Sequence, residues 1–247
     1  MIKNYRNFLK DNIRKTIDFS ETDQSRGIKP PPAEKPGNTE DKRITLTKPG
    51  EWKSIQRISV ESAIAGRKSR RSYIEDALTL EELSFLLWAT QGLRKKRDAV
   101  SNFRTVPSAG CRHALETYVT IFRVEGIPKA IYRYLPMSHQ LVEFIKYENL
   151  EELISRAALG QSFTGKSAVT FIWTTIPARM EWRYGKASYK VIALDAGHVC
   201  QNLYLACETV GAGTCAIAAY DQEFSDSVLG LDGDEEFTIY MSPVGKV

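Results

Sequence analysis

The sequence predicts an α+β fold built on a mixed or antiparallel sheet. Three observations carry this. Residues 167–176 form a continuous apolar, β-branched run, the pattern of a buried strand. Residues 190–210 form the longest helical stretch and are apolar on most faces, which predicts a central helix. Strands and helices do not alternate strictly, as repeated βαβ units would require.

The remaining elements follow in order. Ile2, Tyr5, Phe8, Leu9, Ile13 and Ile17 recur near helical period, so residues 1–18 are expected to form an amphipathic helix. Five of the ten prolines (Pro30, Pro31, Pro32, Pro36 and Pro49) fall in residues 19–52, the composition of an extended arm able to wrap a partner subunit. The chain therefore divides into residues 1–52, a helix and arm, and residues 53–247, a compact domain with its first helical pattern at 58–65. Residues 80–93 read as a helix, with Thr79 as N-cap and Glu82 three residues on completing a capping box. A basic turn facing solvent is expected at 94–97, and a Pro/Ser/Gly loop at 104–110. Strand character appears at 118–124, then a hairpin from 130–134 and 140–147 around Pro136, Met137 and Ser138. Helical pattern returns at 150–159 and 179–184. Gly211 and Gly213 stop the long helix. A small-residue strand at 214–219, a short helix at 224–229 and a last strand at 237–244 complete the chain.

Composition narrows the function. The 247 residues suffice for one large domain or two small ones. The net charge of +4, with acids mixed among the bases, is too mild to indicate a nucleic-acid partner. No apolar run approaches the ~20 residues of a membrane span, and the N-terminus lacks the apolar core of a signal peptide, so a cytoplasmic protein is expected. Cys111, Cys200, Cys207 and Cys215 include no CxxC pair, and His113, His139 and His198 are scattered. These are read as free thiols and non-ligating histidines, without a metal centre. His198, inside the long helix, is expected in the core, with Gln201 and Asn202 satisfying neighbouring polar groups.

The stretch most suggestive of chemistry is residues 66–73. Arg67, Lys68, Arg70 and Arg71 crowd beside Ser69 and Ser72. Such a run is either a solvated face or an anion grip. Adjacent Arg70, Arg71 and Ser72 offer a forked guanidinium and a hydroxyl to one phosphate.

Several separated stretches together resemble one family. Arg70 to Tyr73 and Leu78 to Leu83 resemble the opening of the nitroreductase family of FMN proteins. Leu87-Trp88-Ala89-Thr90-Gln91-Gly92 and Pro107-Ser108-Ala109-Gly110 are similar to its SagB-type thiazoline/oxazoline dehydrogenases. So are Tyr184-Gly185, Ala196-Gly197-His198, Gln201 to Leu205 and the closing Met241 to Lys246. The resemblance covers residues 58–247. It implies a mainly antiparallel sheet flanked by helices, in an intertwined homodimer with FMN in two interface clefts.

It also implies site roles. Arg70 and Ser72 would hold the FMN phosphate, with Arg71 adding a ribityl or ring-edge contact and Lys246 a second cation. Gln161 would meet the pyrimidine edge, and a backbone N–H among Ile217, Ala218 and Ala219 would meet N5. Pro107, Ser108, Ala109 and Gly110 would cover the ring from the other subunit, with Cys111 as plain loop filler. Hydride transfer from NADH or NADPH to a nitro, quinone or similar acceptor would be ping-pong. The proton would come from solvent or from a nearby phenol, for which Tyr184, preceded by Arg183, is the candidate. Azoline dehydrogenases have a Lys-Tyr pair there, and arginine is a poor base. Without the resemblance, Arg183 and Tyr184 read as a helix-end ion pair and a packed ring, Gln161 as a surface amide and Lys246 as a terminal lysine. Other readings are oxidation of a peptide azoline, a flavin sensor without turnover, or a basic-arm module for an anionic polymer.

Overall fold

The structure is a computed structural model that describes residues 6–37, 42–96 and 102–247. Its helices are α1 (Val60–Gly66), α2 (Leu80–Gln91), α3 (Leu150–Ala157), α4 (Ala178–Tyr184), α5 (Ser188–Glu208) and α6 (Gln222–Val228). The strands are β1 (Arg43–Thr45), β2 (Leu93–Lys96), β3 (Asn102–Arg104), β4 (Leu115–Ile121), β5 (Ala130–Leu135), β6 (Gln140–Ile145), β7 (Val169–Thr175), β8 (Ala212–Thr214) and β9 (Phe237–Lys246). Seven form one antiparallel sheet in the order β1-β6-β5-β4-β7-β9-β8, and β2 and β3 form a separate hairpin.

The apolar run at β7 has its cause in this order. β7 lies mid-sheet between β4 and β9, and every one of its residues is buried. Because side chains alternate across a strand, Phe171 and Trp173 join Leu83, Leu86 and Leu87 of α2 and Val199 and Leu203 of α5. Ile172 points the other way, into a cluster with Leu150 and Ile154 of α3 and Val228 of α6. A strand covered on both faces carries large apolar side chains on each, every one contributing about 1.5–3 kcal/mol on burial, while its buried Thr170 and Thr174 hydroxyls donate to Thr164 O and Glu236. The capping box of α2 forms as read: Thr79 accepts from the Glu82 amide while Glu82 accepts from the Thr79 amide.

Several expectations are corrected. The N-terminal amphipathic helix is replaced by three short 3-10 turns, Arg6–Leu9, Asn12–Thr16 and Phe19–Glu21, none with a buried residue. Residues 1–5 of that stretch lie outside the described residues. An isolated short helix is marginal in water, and among the described residues none of Phe8, Leu9, Ile13 and Ile17 is buried.

The arm lies on its own chain. Arg104 donates to Ala33 O, Arg133 donates to Lys35 O and Pro36 O, and β1 adds an edge strand to β6. The basic turn is instead strand β2, with Arg97 outside the described residues. The small-residue strand ends at Thr214, and beyond it only Ile217 bridges back to Met241. Helix α5 flanks the sheet with one face open, since Tyr189, Ala193, Leu194, Gly197, His198 and Gln201 are exposed. His198 is therefore not a core residue, and of the expected polar pair only Asn202 satisfies a carbonyl, Ala89 O.

Candidate functional site

The expected site residues gather at the two ends of α5. At its C-terminal end, the loop after α1 runs beside β8. The Arg70 amide donates to Thr214 O at 2.9 Å, and the Tyr73 hydroxyl donates to Arg70 O at 2.8 Å. The approach requires glycine: a Cβ on Gly213 would strike the Arg70 side chain, and one on Gly245 would lie 2.7 Å from the Tyr73 ring. Arg70 Nε is buried without an acceptor. Arg71 and Ser72 are exposed, and among the described residues neither side chain donates a hydrogen bond within the chain. Lys246 is more committed: its ammonium donates to Glu82, the capping-box acid, and to Val210 O at 2.8 Å.

The segment after β8 is held beside this loop. The Tyr204 hydroxyl accepts from the Ala216 amide at 2.8 Å and shares a hydrogen bond with Ser69. Ile217 N donates to Met241 O, so its amide is taken. The exposed Ala218 and Ala219 have amides with no acceptor among the described residues. Gln161 donates both amide protons to backbone, at 2.9 Å to Ala158 O and 3.1 Å to Ala219 O, leaving only its carbonyl oxygen free to receive a ligand's proton.

At the N-terminal end of α5 sits the loop Pro107, Ser108, Ala109 and Gly110. Asp195 accepts from the Ala109 amide at 3.3 Å, and burial raises its carboxyl above the usual range. Ser108 accepts from the His113 amide. His113 Nε2 lies 2.8 Å from Asn102 O; a carbonyl only accepts, so this nitrogen carries the proton. Burial, followed by the Arg104 charge, pushes its pKa down to about 3. Gly110 has φ +58°, and a Cβ there would lie 2.7 Å from Arg183 Cδ and 2.8 Å from Tyr184 Oη. Arg183 Nε donates to Tyr184 Oη at 3.2 Å.

The Pro107–Gly110 loop thus meets Arg183 and Tyr184 within one chain, while Arg70 lies at the other end of α5. Asp195 and Tyr204 mark the two clusters on α5, nine residues apart, or roughly 14 Å along the axis. Cys111 is a free thiol in this loop. The residues not foreseen are Tyr204, Asp195, His113 and Gln24, which accepts from Arg183 at 3.0 Å. Only Asp195 carried a signal, as an acid between the apolar stretches Val191–Leu194 and Ala196–Gly197.

Comparison with known proteins settles the family. The model of the nitroreductase family matches residues 64–246.

The chain belongs to the nitroreductase family.

Among relatives of this nitroreductase-family chain, a provisionally named nitroreductase of Methanocaldococcus jannaschii is 34% identical over 193 residues, 78% of this chain and 93% of that protein. A trifolitoxin-processing protein of Rhizobium leguminosarum bv. trifolii is 30% identical over 150 residues, 56% of this chain and 40% of its own length. A provisionally named nitroreductase from Ralstonia eutropha superposes with TM-score 0.69 at 25% identity, covering 88% of this chain and 94% of that one. A family structure from Exiguobacterium sibiricum, solved with FMN, shares the fold at TM-score 0.56 and 13% identity, over 79% of this chain and 91% of that one. Within this nitroreductase fold no described helix is long and apolar enough to cross a membrane.

Proposed function

We propose that this chain binds FMN and uses it to pass electrons from NADH or NADPH to a small conjugated acceptor such as a nitroarene or quinone. The observation that carries this is the Arg70, Arg71 and Ser72 cluster. Among the described residues its guanidinium and hydroxyl donors meet no acceptor, Arg70 Nε is buried and orphaned, and glycines open the backbone around it. A phosphate satisfies that donor set through charge-assisted bonds. Arg70, Arg71 and Ser72 would hold the phosphate, with Lys246 close behind. The amides of Ala218 and Ala219 and the Gln161 carbonyl would serve the ring.

FMN, when bound, supplies the electron-transfer chemistry. The chain's own part is orientation and proton delivery. Tyr184 receives a hydrogen bond from the Arg183 cation, while its own hydroxyl proton has no acceptor among the described residues. That leaves the proton available to an oxygen of the acceptor, and Arg183 stabilises the phenolate that remains. The two clusters stand apart on one chain. A two-fold copy that sets the Arg70 end of one chain against the Pro107–Gly110 loop and Tyr184 of the other would complete two sites.

A second reading, oxidation of a peptide azoline, is supported by the similarity to the trifolitoxin-processing protein. Arg183 disfavours it, because a permanently protonated neighbour suits proton donation better than abstraction. Anaerobic mixing of FMN-loaded protein with NADPH or NADH decides: bleaching, then recovery of the yellow colour on adding a quinone, is expected. A protein that takes up no FMN, or holds it without bleaching by either nicotinamide, would refute the proposal.

A further inference from the structure

Residues 6–28 cross the outer side of Arg183 and Tyr184. Between residues 6 and 21 no side chain is buried, so hydrophobic packing does not hold the segment there. Polar contacts do, and they converge on α4 and the start of α5. The Gln24 amide donates to Trp182 O at 2.9 Å, and the Trp182 indole donates back to Ile28 O at 2.7 Å. Lys190 Nζ donates to Leu9 O at 2.6 Å. The Arg14 guanidinium lies 5.8 Å from the centre of the Tyr184 ring and is itself paired with Asp11 at 2.7 Å. The anchor is firm on the inner side, where the buried Arg112 guanidinium stacks 4.6 Å from the Trp182 ring and Arg112 Nε donates to Arg179 O.

One contact of this strap bears directly on the candidate proton donor. Arg183 Nη1 donates to Gln24 Oε1 at 3.0 Å while Arg183 Nε donates to Tyr184 Oη. A guanidinium is planar and rigid, so fixing one nitrogen fixes the direction of the others. We propose that Gln24 is a positioning residue for Tyr184, acting through Arg183, and that the N-terminal strap is part of the acceptor side of the site. Gln24 touches neither acceptor nor cofactor. It sets the plane of the Arg183 fork, and the fork holds the Tyr184 oxygen where its proton meets the acceptor. This rests on the reading of Tyr184 as proton donor. It adds that a segment outside the residues matched by the family model governs the step.

The test uses Gln24→Ala, Gln24→Glu and Tyr184→Phe in the full chain. A small misplacement of a catalytic group is costly, so Gln24→Ala is expected to lower kcat with a quinone about 10-fold while leaving KM and FMN affinity within about twofold. Gln24→Glu keeps the acceptor for Arg183 and is expected to restore kcat. The second readout needs no flavin. In the FMN-free protein, the rate of Tyr184 nitration by tetranitromethane, mapped by mass spectrometry, is expected to change in Gln24→Ala and return in Gln24→Glu. Parental kcat in Gln24→Ala, loss in Gln24→Glu as deep as in Gln24→Ala, or nitration indifferent to both variants overturns the inference. If Tyr184→Phe turns over like the parent, the inference falls together with the proton-donor reading. A chain that takes up no FMN sinks the functional proposal and the strap's place on an acceptor side, while nitration separately decides whether Gln24 positions Tyr184.

Discussion

The two ends of α5 (Ser188–Glu208) carry polar clusters of opposite character. At the C-terminal end, Arg70, Arg71 and Ser72 have side-chain donors with no acceptor among the described residues. At the N-terminal end, Arg183, Tyr184, Gln24, Ser108, Asp195 and His113 are already bonded to one another or to nearby backbone. Of the unpartnered donors at the C-terminal end only Arg70 Nε is buried, and a buried donor without a partner costs free energy until something arrives to satisfy it. The first cluster therefore reads as a binding site in waiting. The second reads as machinery held in place, with one free hydroxyl proton.

That contrast breaks most readily in a titration. Arg70→Ala combined with Ser72→Ala removes two charge-assisted bonds of about 1.5–3 kcal/mol each, and FMN affinity should fall about 100-fold or more in a flavin fluorescence titration. Tyr184→Phe should leave it within about twofold. An equal loss in both variants would abolish the distinction between the ends.

The next largest effect falls behind the N-terminal end and reads on stability alone. Glu116 accepts from Arg179 at 2.6 Å and lies 3.6 Å from Arg133, with all three side chains almost fully buried. Glu116→Gln leaves two buried cations short of their counter-charge and should cost about 3–5 kcal/mol in urea unfolding. A loss below about 1 kcal/mol would mean the cluster is not held as described.

A smaller effect is expected from pH. His113 has a folded pKa depressed to about 3, so the folded state refuses a proton that the unfolded chain accepts near pH 6.5. Stability from this residue is intact above that pH and is lost progressively as pH falls toward 3, by roughly 2 kcal/mol at pH 5. His113→Gln should flatten that limb of the unfolding profile, and an unchanged slope would argue against a buried neutral imidazole supporting the Pro107–Gly110 loop.

Legibility of the fold followed periodicity. The strand at β7 (Val169–Thr175), the capped helix α2 (Leu80–Gln91) and the hairpin of β5 (Ala130–Leu135) and β6 (Gln140–Ile145) each announce themselves through local patterns. The N-terminal stretch carried the same helical spacing, but its described residues 6–18 are left unburied and form short 3-10 turns instead. Short β1 (Arg43–Thr45) and the hairpin of β2 and β3 were missed because strands of three or four residues with one apolar residue each hold no period. In the candidate site, Arg70, Arg71 and Ser72 were legible as a charge cluster. Gln24 was not, since a single exposed amide has no meaning until its partner is known.

The sequence by itself determined which segments are apolar enough to be buried, where α2 begins, and that a cluster of cations and hydroxyls precedes it. These depend on neighbours along the chain, and neighbours are what a sequence lists. Only the tertiary structure decided that the Arg70 loop leans on Gly213, that the arm folds back onto its own sheet, and that Gln24 reaches Arg183 across 159 residues. Such contacts are fixed by the packing of whole layers, because each guanidinium or amide takes the partner that the folded core sets within its reach.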